Sequence, residues 1–254
     1  MKSLVAAEWY KLRRSKVLAI VLAGVSALAV VDALSAYFLQ DSLLRGDNAV
    51  SALADQSSFL SLWIAAFVGF FVASEFQTGA IRNVLALGKG RTAVALAKLF
   101  SACVAVAAIL AVLGLVATVA YTAAVGFGDK TAGEFLAFFA VNFVLQVAYQ
   151  LPQAAVFTMF ALLSRSIGLT ILFSIGYVIF VLALGGFLNA YPGGALKVGL
   201  RFFPQYYVSE LHLTEPDVLN LDPSFVLTGL AVAAAYMVVA TAIACAVFRR
   251  SDIK

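Results

Sequence analysis

Charge and histidine are scarce in this chain. Only 12% of its 254 residues are Asp, Glu, Lys or Arg, and there is a single histidine, His212. Soluble domains carry about 25% charged residues, so a chain this poor in charge has no means of covering a water-facing surface. His212 falls in a loop. No apolar run therefore holds the Ser/His pair of an acyl-transfer centre or the paired histidines of a zinc site. There are two cysteines, Cys103 and Cys245, which rules out a disulfide framework and a cysteine-ligated metal; both read as small packing residues.

Hydrocarbon is what the chain has in excess. Hydrophobic residues make up 63% of it and the mean hydropathy is +1.01, values that place it in a membrane. Six apolar runs, at about 17–39, 56–74, 99–125, 135–163, 167–189 and 225–248, are each long enough to cross a hydrocarbon core of ~30 Å. Backbone groups in lipid must be paired internally, and none of the runs alternates like a barrel strand, so the fold is all-α and polytopic with six transmembrane helices. Pro152 in the fourth run predicts a kink.

Lys and Arg set the orientation. With the amino terminus in the cytosol, thirteen of the 17 lie in inner segments; the other four, Arg45, Lys130, Lys197 and Arg201, lie outside, which puts both termini in the cytosol. Asp41, Asp47, Asp55, Asp129, Glu134, Glu210, Glu215, Asp217 and Asp222 all fall outside. The net charge of +4 is thus an inner-face charge, suited to anionic membrane lipid or an acidic partner and not to nucleic acid. The first run also fits a cleaved signal peptide loosely, with small residues "ALSA" at 33–36 after the apolar stretch, but cleavage would discard the basic amino terminus.

That terminus reads "LVAAEWYKLRRSK". Val5, Trp9, Leu12 and Lys16 fall on one helical stripe and Glu8, Lys11 and Ser15 on another, which describes an interfacial helix with Trp9 at headgroup depth and Glu8 paired with Lys11. A plain basic flank is the alternative. Further along, Asp32 stands alone in the outer half of the first run, as a hydrated residue or as an acceptor for a neighbouring hydroxyl. On the fourth run Asn142, Gln146, Gln150 and Gln153, spaced four, four and three, share one stripe. Amides facing lipid tails would lose their partners, so the stripe turns inward, as a helix interface or as the lining of a translocation path.

One basic connector interrupts the hydrocarbon: "SEFQTGAIRNVLALGKGRTAVALAK", residues 74–98. Ser74 and Gln77 match a capping box, Ile81, Val84 and Leu85 recur at helical spacing opposite Gln77, Arg82 and Asn83, and Gly88 stops the helix. "GKGR" at 88–91 is no phosphate loop, because Asn83 stands where the Walker pattern needs glycine, so the chain does not hydrolyse ATP by itself. The connector is a short amphipathic helix facing the cytosol. It reads as a docking element or as a plain basic linker.

The order Glu75, Phe76, Gly79, Ile81, Arg82, Asn83, Gly88, Arg91, Lys98 resembles the connector of bacterial ABC-2 type permeases, and "EWYKLRRSK" resembles their amino-terminal segment. Ala80 departs from the threonine common there. The likeness covers the whole chain as a single transmembrane domain, 1–254. It implies the permease subunit of an exporter in the bacterial cytoplasmic membrane, exporting a lipophilic or peptide-like compound. Its partners would be separate ABC ATPase subunits and a second copy of itself or a homologous permease. ATP and Mg would be bound in the ATPase, and this chain would bind no cofactor. Glu75, Phe76, Gly79, Arg82 and Asn83 would form the coupling helix. In segment 194–211, Lys197 and Arg201 lie four apart, Leu196, Leu200 and Phe203 mark another stripe, and Pro204 ends the run before Tyr206 and Tyr207. This segment resembles the family's outer re-entrant helices, with a surface-lying helix as the alternative. Against the ABC reading stands an ion-coupled secondary transporter, which mid-depth ionisable groups and an internal repeat would support; the chain offers Asp32 and no convincing repeat.

Overall fold

The structure is a computed structural model and describes residues 2–39, 45–51, 56–88, 90–190, 195–213 and 222–250. Of the residues weighed above, Asp41, Asp55, Lys89, Gly194, Glu215, Asp217 and Lys254 lie outside that set, as do the side chains of Leu196, Lys197 and His212.

Every element among the described residues is helical. Helix α1 (Lys2–Arg13) turns at Arg14 into α2 (Lys16–Leu39), where Ser15 Oγ accepts from the Leu18 amide at 3.2 Å and caps the first turn. The second span begins as α3 (Ser57–Val68), passes through a π-helical turn, Gly69–Ala73, and ends as α4 (Ser74–Gln77). A short helix α5 (Ala80–Ala86) leads to α6 (Arg91–Ala124), α7 (Ala132–Ser164) and α8 (Ile167–Ala190). A 3-10 segment, Ala195–Phe202, precedes α9 (Pro204–Leu213) and the last helix, α10 (Pro223–Arg250). Six of these helices are long and apolar enough to span a bilayer: Lys16–Leu39, Phe59–Gln77, Arg91–Ala124, Ala132–Ser164, Ile167–Leu188 and Pro223–Arg250.

Two boundaries differ from the sequence reading for physical reasons. The third span starts at Arg91, eight residues before the uncharged run, because Arg91 and Lys98 are themselves helical and the breaks fall earlier, at Gly88 and at Gly90 with its extended backbone. Ser74 caps nothing. The π turn carries the second span straight through it, its hydroxyl donates back to the Phe70 carbonyl, and Gln77 is exposed, so the capping box is not formed. Helix α7, by contrast, opens on a complete box, with Glu134 N–H donating to Thr131 Oγ1 at 3.4 Å and Thr131 N–H donating to Glu134 Oε2 at 2.8 Å. It then runs through Pro152 as one helix.

The centre of the bundle is α7, flanked by α6, α8 and α10, with α2 laid on α6 and α3 between α7 and α8. Such contacts in lipid depend on shape more than on water exclusion. Gly24 of α2 leaves the space that the Trp63 ring of α3 fills. One face of the bundle gathers α1, α5 and the end of α10, where Arg91 Nη1 donates to the Arg249 carbonyl at 3.3 Å. At the opposite face two connectors pair, Gly46 N–H with the Gly126 carbonyl at 3.0 Å and Asp47 N–H with the Phe127 carbonyl at 2.6 Å. Salt bridges Lys130–Asp47 (3.7 Å) and Arg45–Asp129 (3.4 Å) close this cap.

Toward that same face α9 buries Tyr207, Val208 and Leu211 against Leu145 and Tyr149. Those partners lie roughly 20–26 Å along α7 from Ala132, so α9 packs beside the middle of the helix and not over its tip. The run ends at Phe202, ahead of Pro204 as expected, but Pro204 also begins α9, and Tyr206, Tyr207 and the backbone of His212 belong to that helix, so His212 is helical and not in a loop.

Candidate functional site

Four charged side chains meet where α1, α4 and α6 converge. Lys98 Nζ donates to Glu8 Oε2 at 2.9 Å and, more closely still, to Glu75 Oε1. Lys11 Nζ donates to Glu8 Oε1 at 2.6 Å and to Glu75 Oε1 at 3.1 Å. The Lys98 side chain is 1% exposed and that of Glu8 6%, so this pair is withdrawn from solvent, with Glu75 at its edge and Lys11, 38% exposed, at the rim. Two cations and two carboxylates balance, which makes the arrangement tolerable where a lone charge would not be. Phe71, in the π turn, places its ring 5.5 Å from Lys98 Nζ. A π turn adds one residue to the helical phase, so every side chain after it, Glu75 included, points elsewhere than a regular helix would aim it.

Burial works to lower the Lys11 pKa, but the hydrogen bond to Glu8 and the charges of Glu75 and Glu8 outweigh it and hold the ammonium above its ordinary 10.5. Glu75 Oε2 is buried with no partner among the described residues. The buried face of α1 carries Leu4, Glu8 and Leu12 with Lys11 beside them, so it takes Leu12 from one stripe read from the sequence and the Glu8–Lys11 pair from the other. Trp9 is exposed.

Beyond the network the connector leaves the bundle. Gly79, at φ +73°, takes a left-handed turn that ends α4 and starts α5. Ile81 is buried and Val84 and Leu85 pack on the core, while Arg82 and Asn83 face outward. Phe76 meets Phe248 of α10 edge to face at 5.9 Å. Gly88, at φ +74°, closes the helix. The five connector residues thus divide in three: Glu75 and Phe76 are held inside by α1, α6 and α10, Gly79 is the bend, and Arg82 and Asn83 face outward where another molecule can touch them.

The amide stripe lies elsewhere, inside the bundle on α7. Asn142, Gln146 and Gln150 are fully buried, Gln153 nearly so, and none of their eight side-chain nitrogen and oxygen atoms has a hydrogen-bond partner among the described residues. One to two turns beyond Gln153, Val156, Met159 and Phe160 join Tyr177 of α8 and Tyr236, Val239, Ala240 and Ile243 of α10 around an apolar cavity of about 390 Å³ that opens to the outside of the bundle past the exposed Val239 and Ile243. Asp32 accepts a hydrogen bond from Tyr121 Oη of α6 at 2.8 Å, the packing alternative of the two left open by its position.

The fold is that of an all-α polytopic membrane protein. The family model of the ABC-2 family transporter proteins matches residues 4–181, from α1 through most of α8, and the chain belongs to that family. It is accordingly the permease component of an ABC transporter, the membrane-spanning part and not the ATP-hydrolysing one. Comparison with curated proteins gives no match.

In the sequence Lys98 stands as an inner-face cation at the end of the connector pattern, with no pairing assigned to it. Its capture by Glu8 joins residues 90 apart, and no local spacing signals that.

Proposed function

We propose that this chain is the permease of a bacterial exporter in the cytoplasmic membrane, with both termini and α5 in the cytosol, driven by separate ABC ATPase subunits that hydrolyse ATP with Mg. The observation that carries this reading is the ion network. A subunit that docks on Arg82 and Asn83 pushes on α5, and Gly79 passes the displacement to α4. Glu75, tied to Lys98 and Lys11, then hands it to α6 and α1 together. Without the network, α5 would be a tethered flap. With it, one contact outside moves two membrane helices and the amino-terminal helix as a unit.

Trp9, at the rim of α1, sits in the headgroup layer and steadies that helix against lipid. Helices α2, α8 and α10 leave wide apolar faces, including Phe38, Phe180 and Leu227, uncovered by this chain. Lipid and a second copy, or a homologous permease, cover them. Cargo of lipophilic or peptide-like character moves outward when the ATPases close.

The test is co-purification of the chain with an ATPase carrying Walker A, signature and Walker B motifs. Gly79→Pro combined with Arg82→Glu inserts normally but loses the ATPase and ATP-dependent transport. Retained association and retained transport in that variant contradict the reading, as does transport that survives ATP depletion and collapses with an ion gradient.

A further inference from the structure

Among the described residues the amide stripe has no hydrogen-bond partner, and that calls for a ligand. Buried amides are normally paired, because an unpaired donor or acceptor in a low-dielectric interior carries its full desolvation cost. Here eight such atoms on four successive positions of one helix face go without. If their purpose were to bind helices together they would reach across to a neighbour, and they do not.

Three properties narrow the ligand. Each amide offers both a donor and an acceptor, so the matching group must do the same. No Asp, Glu, Lys or Arg lies on the stripe, so a charged group would be desolvated there without an opposite charge to meet it. The amides rise along α7 over roughly 16 Å, a length that suits an extended portion of a molecule more than a compact head. At the Gln153 end the character changes within one turn. The cavity of about 390 Å³ is walled by Val156, Met159, Phe160, Val239 and Ile243, with no charged residue on its lining. Ligand pockets commonly span about 300–1,000 Å³.

We infer that α7 holds an amphipathic ligand whose uncharged, hydrogen-bonding part lies along Asn142, Gln146, Gln150 and Gln153 and whose alkyl or similar apolar part fills the cavity between α7, α8 and α10. This rests on the permease reading and deepens it: the cargo is a neutral amphiphile, amide-bearing in its polar portion, and it is held within one protomer.

The experiment uses the full chain in nanodiscs with no nucleotide and no partner subunit. The probe is N-decanoyl-glycine methylamide with a diazirine at the end of its chain; its analogue ends in a free carboxylate. Photolabelling of wild type by the neutral probe marks the cavity residues, and the carboxylate marks them about tenfold less or weaker still. Combining Asn142→Leu, Gln146→Met, Gln150→Met and Gln153→Met lowers labelling by a similar factor, while the melting temperature without probe is unchanged or higher, since unpaired amides have been replaced by apolar groups of like size. Ala240→Phe, at a lining position of α10, fills the cavity, keeps the amides and also loses the label.

Equal labelling of the quadruple variant overturns the inference, because the stripe then holds only water and the cavity takes any alkyl chain. A lower melting temperature of that variant without probe overturns it too, by making the amides structural. Equal labelling by the carboxylate assigns the cavity to ordinary bilayer lipid, whose headgroups are charged. None of these results touches the docking of α5, and loss of that docking leaves probe labelling as it was.

Discussion

Lys98 Nζ lies 2.9 Å from Glu8 Oε2, joining the third span to the amino-terminal helix across 90 residues of chain. The pair is buried, and Glu75 and Lys11 complete it, so the first helix is fixed to the bundle by charge where its exposed rim would leave it loose.

Lys98→Met leaves Glu8 and Glu75 to share Lys11 alone, so one negative charge goes uncompensated beside the buried Glu8. Breaking a buried pair typically costs about 3–5 kcal/mol, and the loss is expected as a lower unfolding midpoint of the purified chain. Adding Glu75→Gln to Lys98→Met recovers part of it, which a double-mutant cycle measures directly.

Lys11 adds a pH signature. Its pKa is raised in the folded chain, so its contribution is fully present below the ordinary 10.5 and disappears as pH climbs through the higher folded value. Proteolytic release of α1 therefore stays low through neutral pH and increases only above the usual lysine range. Lys11→Met shows no such step.

Gly79 has open space around it, so a side chain there meets no neighbour and the cost is purely conformational. Gly79→Ala, at φ +73°, loses about 1–2 kcal/mol in the bend, whereas Gly79→Asn loses less. Since the bend links α4 to α5, ATPase binding by the alanine variant weakens more than its global melting temperature does.

Gly229 is tight in the other sense. A Cβ there would lie 2.7 Å from Tyr207 Cδ1 and 2.8 Å from Tyr149 Oη, so Gly229→Ala pushes α9 off α7 and α10. The expected loss is about 1–3 kcal/mol by thermal unfolding, relieved in part by Tyr207→Leu.

Tyr121→Phe removes the hydrogen bond to Asp32 and is expected to cost about 0.5–1.5 kcal/mol, the range for a typical intramolecular hydrogen bond, as a lower unfolding midpoint. Transport by Asp32→Asn continues in this account; its abolition would favour ion coupling.

Much of this was readable from residue spacing. Six apolar runs gave the spans, the three-residue interval gave the Glu8–Lys11 pair, and the 4-4-3 interval placed the amides on one face. Contacts between distant segments were not readable. Lys98 counted as an inner-face charge because its partners lie on α1 and α4, and the π turn, invisible to a 3.6-residue period, turned Ser74 from a cap into a mid-helix residue. That the amides lack partners depends on what faces α7, and no pattern within α7 reports it. Asp32 had a true reading among its alternatives, but only Tyr121, 89 residues away, decides between them.

The central claim is tested most directly by a thiol on the exposed side of α5. In a chain carrying Asn83→Cys with Cys103 and Cys245 replaced by serine, a membrane-impermeant maleimide should label inverted vesicles only, and bound ATPase subunits should block the labelling. Labelling of right-side-out vesicles, or labelling that the ATPase leaves unchanged, contradicts the account.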